Sequence, residues 1–120
     1  MKFNKKSVYN FWNKESCGTG YTNAQKFSKE YFDEIELTRY NLEPMIKPFA
    51  KFENYSEKTV LEVGVGAGTD FINWVRNGAI AYGIDLTDEA IDNVQNRLSM
   101  ESLSSKFLQK SDAEKLPFDD

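Results

Sequence analysis

Histidine is absent from this 120-residue sequence, and cysteine occurs once, at position 17. The chain therefore lacks the commonest general base and the commonest metal ligand. A single cysteine cannot form a disulfide within the chain, and no Cys/His cluster exists that would bind zinc. Cys17 is also a poor nucleophile, because no histidine is present to activate it. These absences exclude disulfide-stapled folds and zinc centres, and we expect no metal site.

Long apolar runs are also missing. No stretch is long enough to span a membrane, and no apolar run follows the lysines near the start of the chain. Neither a transmembrane helix nor a signal peptide is therefore predicted. Together with the single cysteine, this predicts a soluble, cytoplasmic protein without a membrane partner.

Charge is distributed unequally between the two halves of the chain. Residues 1–59 contain ten Lys/Arg and eight Asp/Glu, whereas residues 60–120 contain five and eleven. The acidic second half has no basic stripe, so we expect no nucleic-acid partner. The length allows one domain at most. Within it we distinguish an N-terminal aromatic and helical extension, residues 1–58, from a core, residues 59–120.

The core region alternates between strand and helix patterns. Apolar, β-branched runs predict strands at residues 59–65, 79–86 and 106–113, and helical spacing predicts helices at residues 69–78 and 87–102. This alternation predicts a parallel α/β sheet with right-handed crossovers. In the first half, Ser28 is expected to cap a helix that ends before Pro44. Residues 1–25 show weak periodicity, and no helix is predicted there.

The stretch "LEVGVGAGTD", residues 61–70, lies at the turn from the first strand to the first core helix. Gly64, Gly66 and Gly68 permit a tight turn and let the backbone approach a ligand closely. The dinucleotide fingerprint requires a third glycine at the sixth position, where this chain has Thr69. Glu62 and Asp70 would moreover repel a pyrophosphate. A nicotinamide-dependent dehydrogenase half-domain is therefore disfavoured.

Two aspartates follow the next strands. Asp85 ends the second strand, where a carboxylate can accept both hydroxyls of a ribose, although it could equally start the turn before Thr87. Asp112 follows the third strand, where it could accept a hydrogen bond from an adenine amine or be an ordinary loop residue. Ligands of open α/β sheets bind at the carboxyl ends of strands, and all these features fall there. Their joint occurrence predicts a nucleoside site.

In this combination the motifs resemble class I S-adenosylmethionine-dependent methyltransferases. The residues that carry the resemblance are Glu62-x-Gly64-x-Gly66-x-Gly68, then Asp85, then "SDAEKLPF", over roughly residues 59–118. The resemblance implies a partial doubly wound, Rossmann-like sheet of strand order 3-2-1 and S-adenosylmethionine as cofactor. It implies that the glycines and Val65 line the methionine and ribose portion and that Glu62 holds the ammonium. Asp85 would bind the ribose, Leu86 would pack on adenine, and Asp112 and Ala113 would meet the adenine edge.

The extension is similar to the segment that covers the cofactor in some small-molecule methyltransferases. That similarity makes Tyr21, Arg39 and Tyr40 candidates for lining the acceptor pocket. The plainer interpretation is that these side chains only pack a helix onto the sheet. The implied activity is methyl transfer to a small-molecule acceptor, with the catalytic base unassigned. The alternative is a non-catalytic module that binds a nucleoside or packs against a partner.

The final "KLPFDD" resembles the segment that precedes a fourth strand in this family. We therefore expect this chain to contain only the cofactor-binding part and to be inactive alone. The first strand would then be an edge strand, and apolar, uncharged edges invite pairing with another chain. We expect self-association of two copies through this strand.

Overall fold

The structure is a computed structural model that describes residues 4–14 and 18–119, so Cys17 lies outside the described residues. The elements are helices α1 (Lys5–Lys14), α2 (Lys29–Leu42), α3 (Ile46–Ala50), α4 (Thr69–Arg76) and α5 (Asp88–Met100), and strands β1 (Thr59–Val63), β2 (Ile80–Asp85) and β3 (Phe107–Lys110). Short 3-10 turns occur at Thr19–Tyr21 and Phe52–Tyr55.

All the predicted strands form, and they pair in parallel. The order across the sheet is β1-β2-β3, with Thr59 opposite Ile80 and Tyr82 opposite Phe107. Helices α4 and α5 connect successive strands, which confirms the α/β class and a partial Rossmann-like sheet. Because the strands run the same way, the residues that follow them meet at one edge of the sheet.

The core lies between the sheet and helices α4 and α5. Its buried members are Val65, Phe71, Ile72, Val75, Ala81, Ala90, Val94 and Leu98. A side chain added at Gly83 would put its Cβ 2.7 Å from Phe71 Cε1, so the absence of a side chain in β2 lets α4 pack close to the sheet. Burying each of the larger side chains contributes about 1.5–3 kcal/mol.

Helix α2 begins where the sequence predicts. Ser28 Oγ accepts a hydrogen bond from Tyr31 N at 3.1 Å, and Tyr31, Phe32 and Ile35 are buried. Arg97 of α5, also buried, donates from Nη2 to Glu36 Oε1 of α2 at 2.8 Å. This buried ion pair and the apolar face fix α2 onto the core.

Helix α1 is not foreseen by the sequence, whose first residues show weak periodicity. Asn4 starts the helix: its Oδ1 accepts from Ser7 N at 2.9 Å, and its own N–H donates to Ser7 Oγ at 3.2 Å. Asn followed three residues later by Ser is a capping pattern that supplies the missing signal. No residue of α1 is buried.

Candidate functional site

A pocket of about 580 Å³ lies at the carboxyl ends of the strands. It is lined by the glycine loop, by the residues that follow β2 and β3, and by α1. The predicted site residues it brings together are Gly64, Gly66, Asp85, Leu86, Asp112 and Ala113. Three segments far apart in sequence therefore converge on one cavity.

A smaller pocket of about 260 Å³ adjoins the first and shares Val63, Gly64 and Gly66 with it. Its lining includes the other predicted site residues, Glu62, Val65 and Gly68, and adds Arg39 and Asp70. The Val65 side chain is buried in the core, so this residue borders the pocket chiefly through its backbone. The glycine loop is thus common to both pockets.

The loop glycines serve different purposes. Gly64 has a φ of 79°, and a Cβ added there would meet nothing within 4 Å, so its missing side chain leaves open space in the pockets. Gly68 has a φ of 84°, and a Cβ added there would lie 2.7 Å from Val94 Cγ2 of α5. Both conformations favour glycine. Gly68 is required by helix packing, whereas packing imposes no such requirement at Gly64.

Asp85 ties the glycine loop to the start of α5. Its Oδ2 accepts from Gly66 N at 3.1 Å, and its Oδ1 accepts from Thr87 N and Thr87 Oγ1, each at 3.0 Å. The Thr87 hydroxyl in turn caps α5 by accepting from Ala90 N at 3.2 Å. Asp85 therefore is the turn residue that the sequence allowed, and it also borders the larger pocket.

Asp112 follows β3 and already has partners on both carboxylate oxygens. Oδ1 accepts from Glu114 N at 2.9 Å, and Oδ2 pairs with Lys5 Nζ of α1 at 2.7 Å. Lys5 also pairs with Glu114 at 2.6 Å. The Lys5 ammonium lowers the pKa of Asp112, chiefly through the hydrogen bond between Lys5 and Asp112. The Asp112 carboxyl is therefore ionised at neutral pH.

Glu62 is a part-buried carboxyl in the smaller pocket. Its Oε1 accepts from Trp74 Nε1 at 3.2 Å. Burial, with the Asp70 carboxylate nearby, raises the pKa of Glu62 to about 8, and the hydrogen bond from Trp74 only partly opposes this. Glu62 is therefore largely protonated at neutral pH.

Arg39 and Tyr40 of α2 meet Asp70 at the start of α4. Arg39 Nη2 and Nε donate to the two Asp70 oxygens at 2.7 and 3.2 Å, and the Tyr40 hydroxyl donates to Asp70 Oδ1 at 2.9 Å. Arg39 lines the smaller pocket, whereas Tyr40 is not part of its lining. Tyr21 is exposed and borders neither of these pockets.

The sequence did not identify the contribution of α1 to the larger pocket. Four residues of the N-terminal segment line it: Asn4, Lys5, Val8 and Trp12. These residues were missed because no helix was predicted there. Within residues 4–14 and 18–119, no group of three or more acidic, cysteine or histidine side chains is placed to hold a metal ion.

Comparison with protein families agrees with this geometry. A family model described as a methyltransferase domain matches residues 60–120, a span that contains every predicted cofactor-binding residue. The chain belongs to this methyltransferase-domain family. The resemblance noted from the glycine loop and the two aspartates is thereby confirmed.

Searches of curated proteins and of solved structures found no match to this chain. Across the described part of the chain, no helix combines the length and apolar character needed to cross a membrane.

Proposed function

We propose that this methyltransferase domain binds S-adenosylmethionine across the two adjoining pockets and serves methyl transfer to a small-molecule acceptor. The observation that carries the proposal is the convergence of the glycine loop, Asp85 and Asp112 on a cavity of nucleoside size. A volume of about 580 Å³ falls within the range of small-molecule sites. The family match to residues 60–120 supports the same assignment.

The nucleoside end fits the larger pocket. A carboxylate offers about four acceptor positions, and Asp85 uses three of them on Gly66 and Thr87. Asp85 can therefore accept one ribose hydroxyl directly and a second if the Thr87 hydroxyl gives up its bond. Leu86 supplies an apolar contact for adenine, and Asp112 supplies an acceptor for its amine.

The amino-acid end fits the smaller pocket. Glu62 and the open space at Gly64 suit an ammonium, because an ionised Glu62 balances its charge. Arg39 offers a guanidinium to a carboxylate, although Asp70 already holds it. The acidic surroundings also suit a sulfonium, whereas a pyrophosphate would face Glu62, Asp70 and Asp85.

Bound at this site, S-adenosylmethionine would supply a methyl group on a positively charged sulfur that is a good leaving group. The residues of this chain then act by binding and alignment, and placing the methyl in line with the acceptor is the main source of acceleration. The acceptor must lose a proton, and neither pocket assigns a base to take it. We propose that residues 1–58 form a cap over residues 59–120 and border the acceptor.

Titration calorimetry with S-adenosylmethionine, S-adenosylhomocysteine and a nicotinamide dinucleotide tests this proposal. We expect saturable binding of the first two at one site per chain and weaker binding of the dinucleotide. Tighter binding of the dinucleotide would refute it. If neither S-adenosylmethionine nor S-adenosylhomocysteine binds saturably, the alternative of a non-catalytic module that packs against a partner is favoured instead.

A further inference from the structure

We propose that Lys5 of α1 is an autoinhibitory residue, because it occupies the Asp112 oxygen that the adenine amine would use. This inference rests on the proposed function, since it assumes that adenine binds beside Asp112. In the ligand-free chain, α1 would be held closed over the larger pocket. Cofactor binding then requires the Lys5–Asp112 pair to open.

Each Asp112 oxygen already has one partner, and Lys5 is itself part of the lining of the larger pocket. Lys5 Nζ lies 2.7 Å from Asp112 Oδ2, while Glu114 N donates to Oδ1 at 2.9 Å. The backbone bond to Glu114 belongs to the turn after β3 and is expected to persist. The Lys5 bond is therefore the one that an incoming amine displaces, and Lys5 can keep its contact with Glu114 at 2.6 Å.

The attachment of α1 is weak enough to be displaced. No α1 residue is buried, and the other tertiary hydrogen bonds of the helix run from Tyr9 Oη to Asp88 Oδ2 at 2.7 Å and from Glu89 N to Asn13 Oδ1 at 3.2 Å. The Lys5 side chain is 60% exposed and that of Asp112 34% exposed. Exposed ion pairs contribute little to stability and are screened by salt. Elements held by such contacts open at low free energy.

The consequence is a reduced apparent affinity. If the cofactor binds only when α1 has released Asp112, its apparent affinity is the intrinsic affinity multiplied by the fraction of molecules in which α1 is open. Removing the Lys5 ammonium removes this competition, and raising the salt concentration weakens it in the unmodified chain.

The test compares Lys5→Ala with Lys6→Ala. Lys6 is the next residue of the same helix turn, is exposed, and takes part in none of the ion pairs between described residues. Both variants lose one positive charge and gain the same helix propensity, so they differ in the Lys5 contacts with Asp112 and Glu114. We expect S-adenosylhomocysteine to bind Lys5→Ala about two- to fivefold more tightly than Lys6→Ala in calorimetry at low salt. The difference should shrink at 0.5 M salt. Equal or weaker binding by Lys5→Ala would overturn the proposal.

Hydrogen exchange without ligand separates this inference from the proposed function. Amides of residues 5–14 should exchange faster in Lys5→Ala than in Lys6→Ala, which tests the closing contact alone. If no variant binds S-adenosylhomocysteine, the proposed function fails, and the inference fails with it. If both variants bind equally tightly, only the autoinhibitory role of Lys5 is refuted.

Discussion

Glu62 gives the site a specific dependence on pH. Burial raises the pKa of this carboxyl to about 8 in the ligand-free protein, so it carries a proton at pH 7. An ammonium entering the smaller pocket favours the ionised form and lowers that pKa. Binding of S-adenosylhomocysteine must then release close to one proton per site at pH 7, and affinity must rise with pH. For a free-state pKa of about 8, the affinity should increase roughly twentyfold between pH 6 and pH 7.5.

Glu62→Gln isolates this effect. Glutamine retains an oxygen that can accept the Trp74 N–H, but it cannot ionise. The affinity of the variant for S-adenosylhomocysteine should depend little on pH between pH 6 and pH 7.5, and binding should release no proton. Calorimetry in buffers of different ionisation enthalpy measures the number of protons released. Glu53→Gln, at an exposed position in the 3-10 turn before β1, is the control and should behave as the unmodified chain. A wild-type affinity that is flat over this range would refute the role assigned to Glu62.

The same carboxyl makes a prediction about stability. Its folded pKa of about 8 exceeds its ordinary value of 4.5, so the folded state retains the proton longer than the unfolded state does. Stability therefore decreases as pH rises from about 4.5 to about 8, by at most roughly 5 kcal/mol at 1.36 kcal/mol per pKa unit. The free energy of unfolding of Glu62→Gln, measured in urea, should not show this part of the decrease with pH. The full amount applies only to a completely desolvated group, and Glu62 is part-buried.

Three further predictions concern the loop, the ribose contact and the sheet edge. Asp85→Ala should weaken S-adenosylhomocysteine binding about tenfold or more in calorimetry, since charge-assisted hydrogen bonds are worth roughly 1.5–3 kcal/mol. The control Asp92→Ala, at an exposed position on α5, should leave binding unchanged. Equal effects of the two changes would refute the contact between Asp85 and the ribose. Gly64→Ala should remain folded by circular dichroism yet bind S-adenosylhomocysteine poorly. Gly68→Ala should lose stability, because only the Cβ added at Gly68 would clash with Val94, at 2.7 Å. The reverse pattern would contradict the different roles assigned to the two glycines. Edge strand β1, with Leu61 41% and Val63 51% exposed, should pair with a second copy at micromolar concentration in sedimentation, and a monomer throughout would contradict this.

The sheet and its helices were predictable because their signals are local. β-branched apolar runs bounded by glycine gave β1 and β2, and helical spacing gave α5. Asp85 and Asp112 could be placed in one site because parallel strands bring their carboxyl ends together.

The polar partners of these residues could not be predicted from the sequence. The Lys5–Asp112 pair joins residues 107 apart, and no local pattern indicates which lysine reaches which carboxylate. The raised pKa of Glu62 likewise depends on how deeply the loop and α4 bury it. Helix α1 places Val8 and Trp12 at the rim of a pocket and buries no residue. Such contacts are set by tertiary packing, which periodicity does not report.

The most direct test of the proposed cofactor site is a nuclear magnetic resonance titration of chain labelled with ¹⁵N-glycine only. The chain has seven glycines, so the spectrum is simple, and Gly78, at the far end of α4 from the loop, is an internal control. We predict that S-adenosylhomocysteine shifts the amides of Gly64, Gly66 and Gly68 saturably, with one dissociation constant, while Gly78 stays unchanged. Unshifted loop glycines at saturating ligand, or a larger response to a nicotinamide dinucleotide at lower concentration, would contradict the assignment.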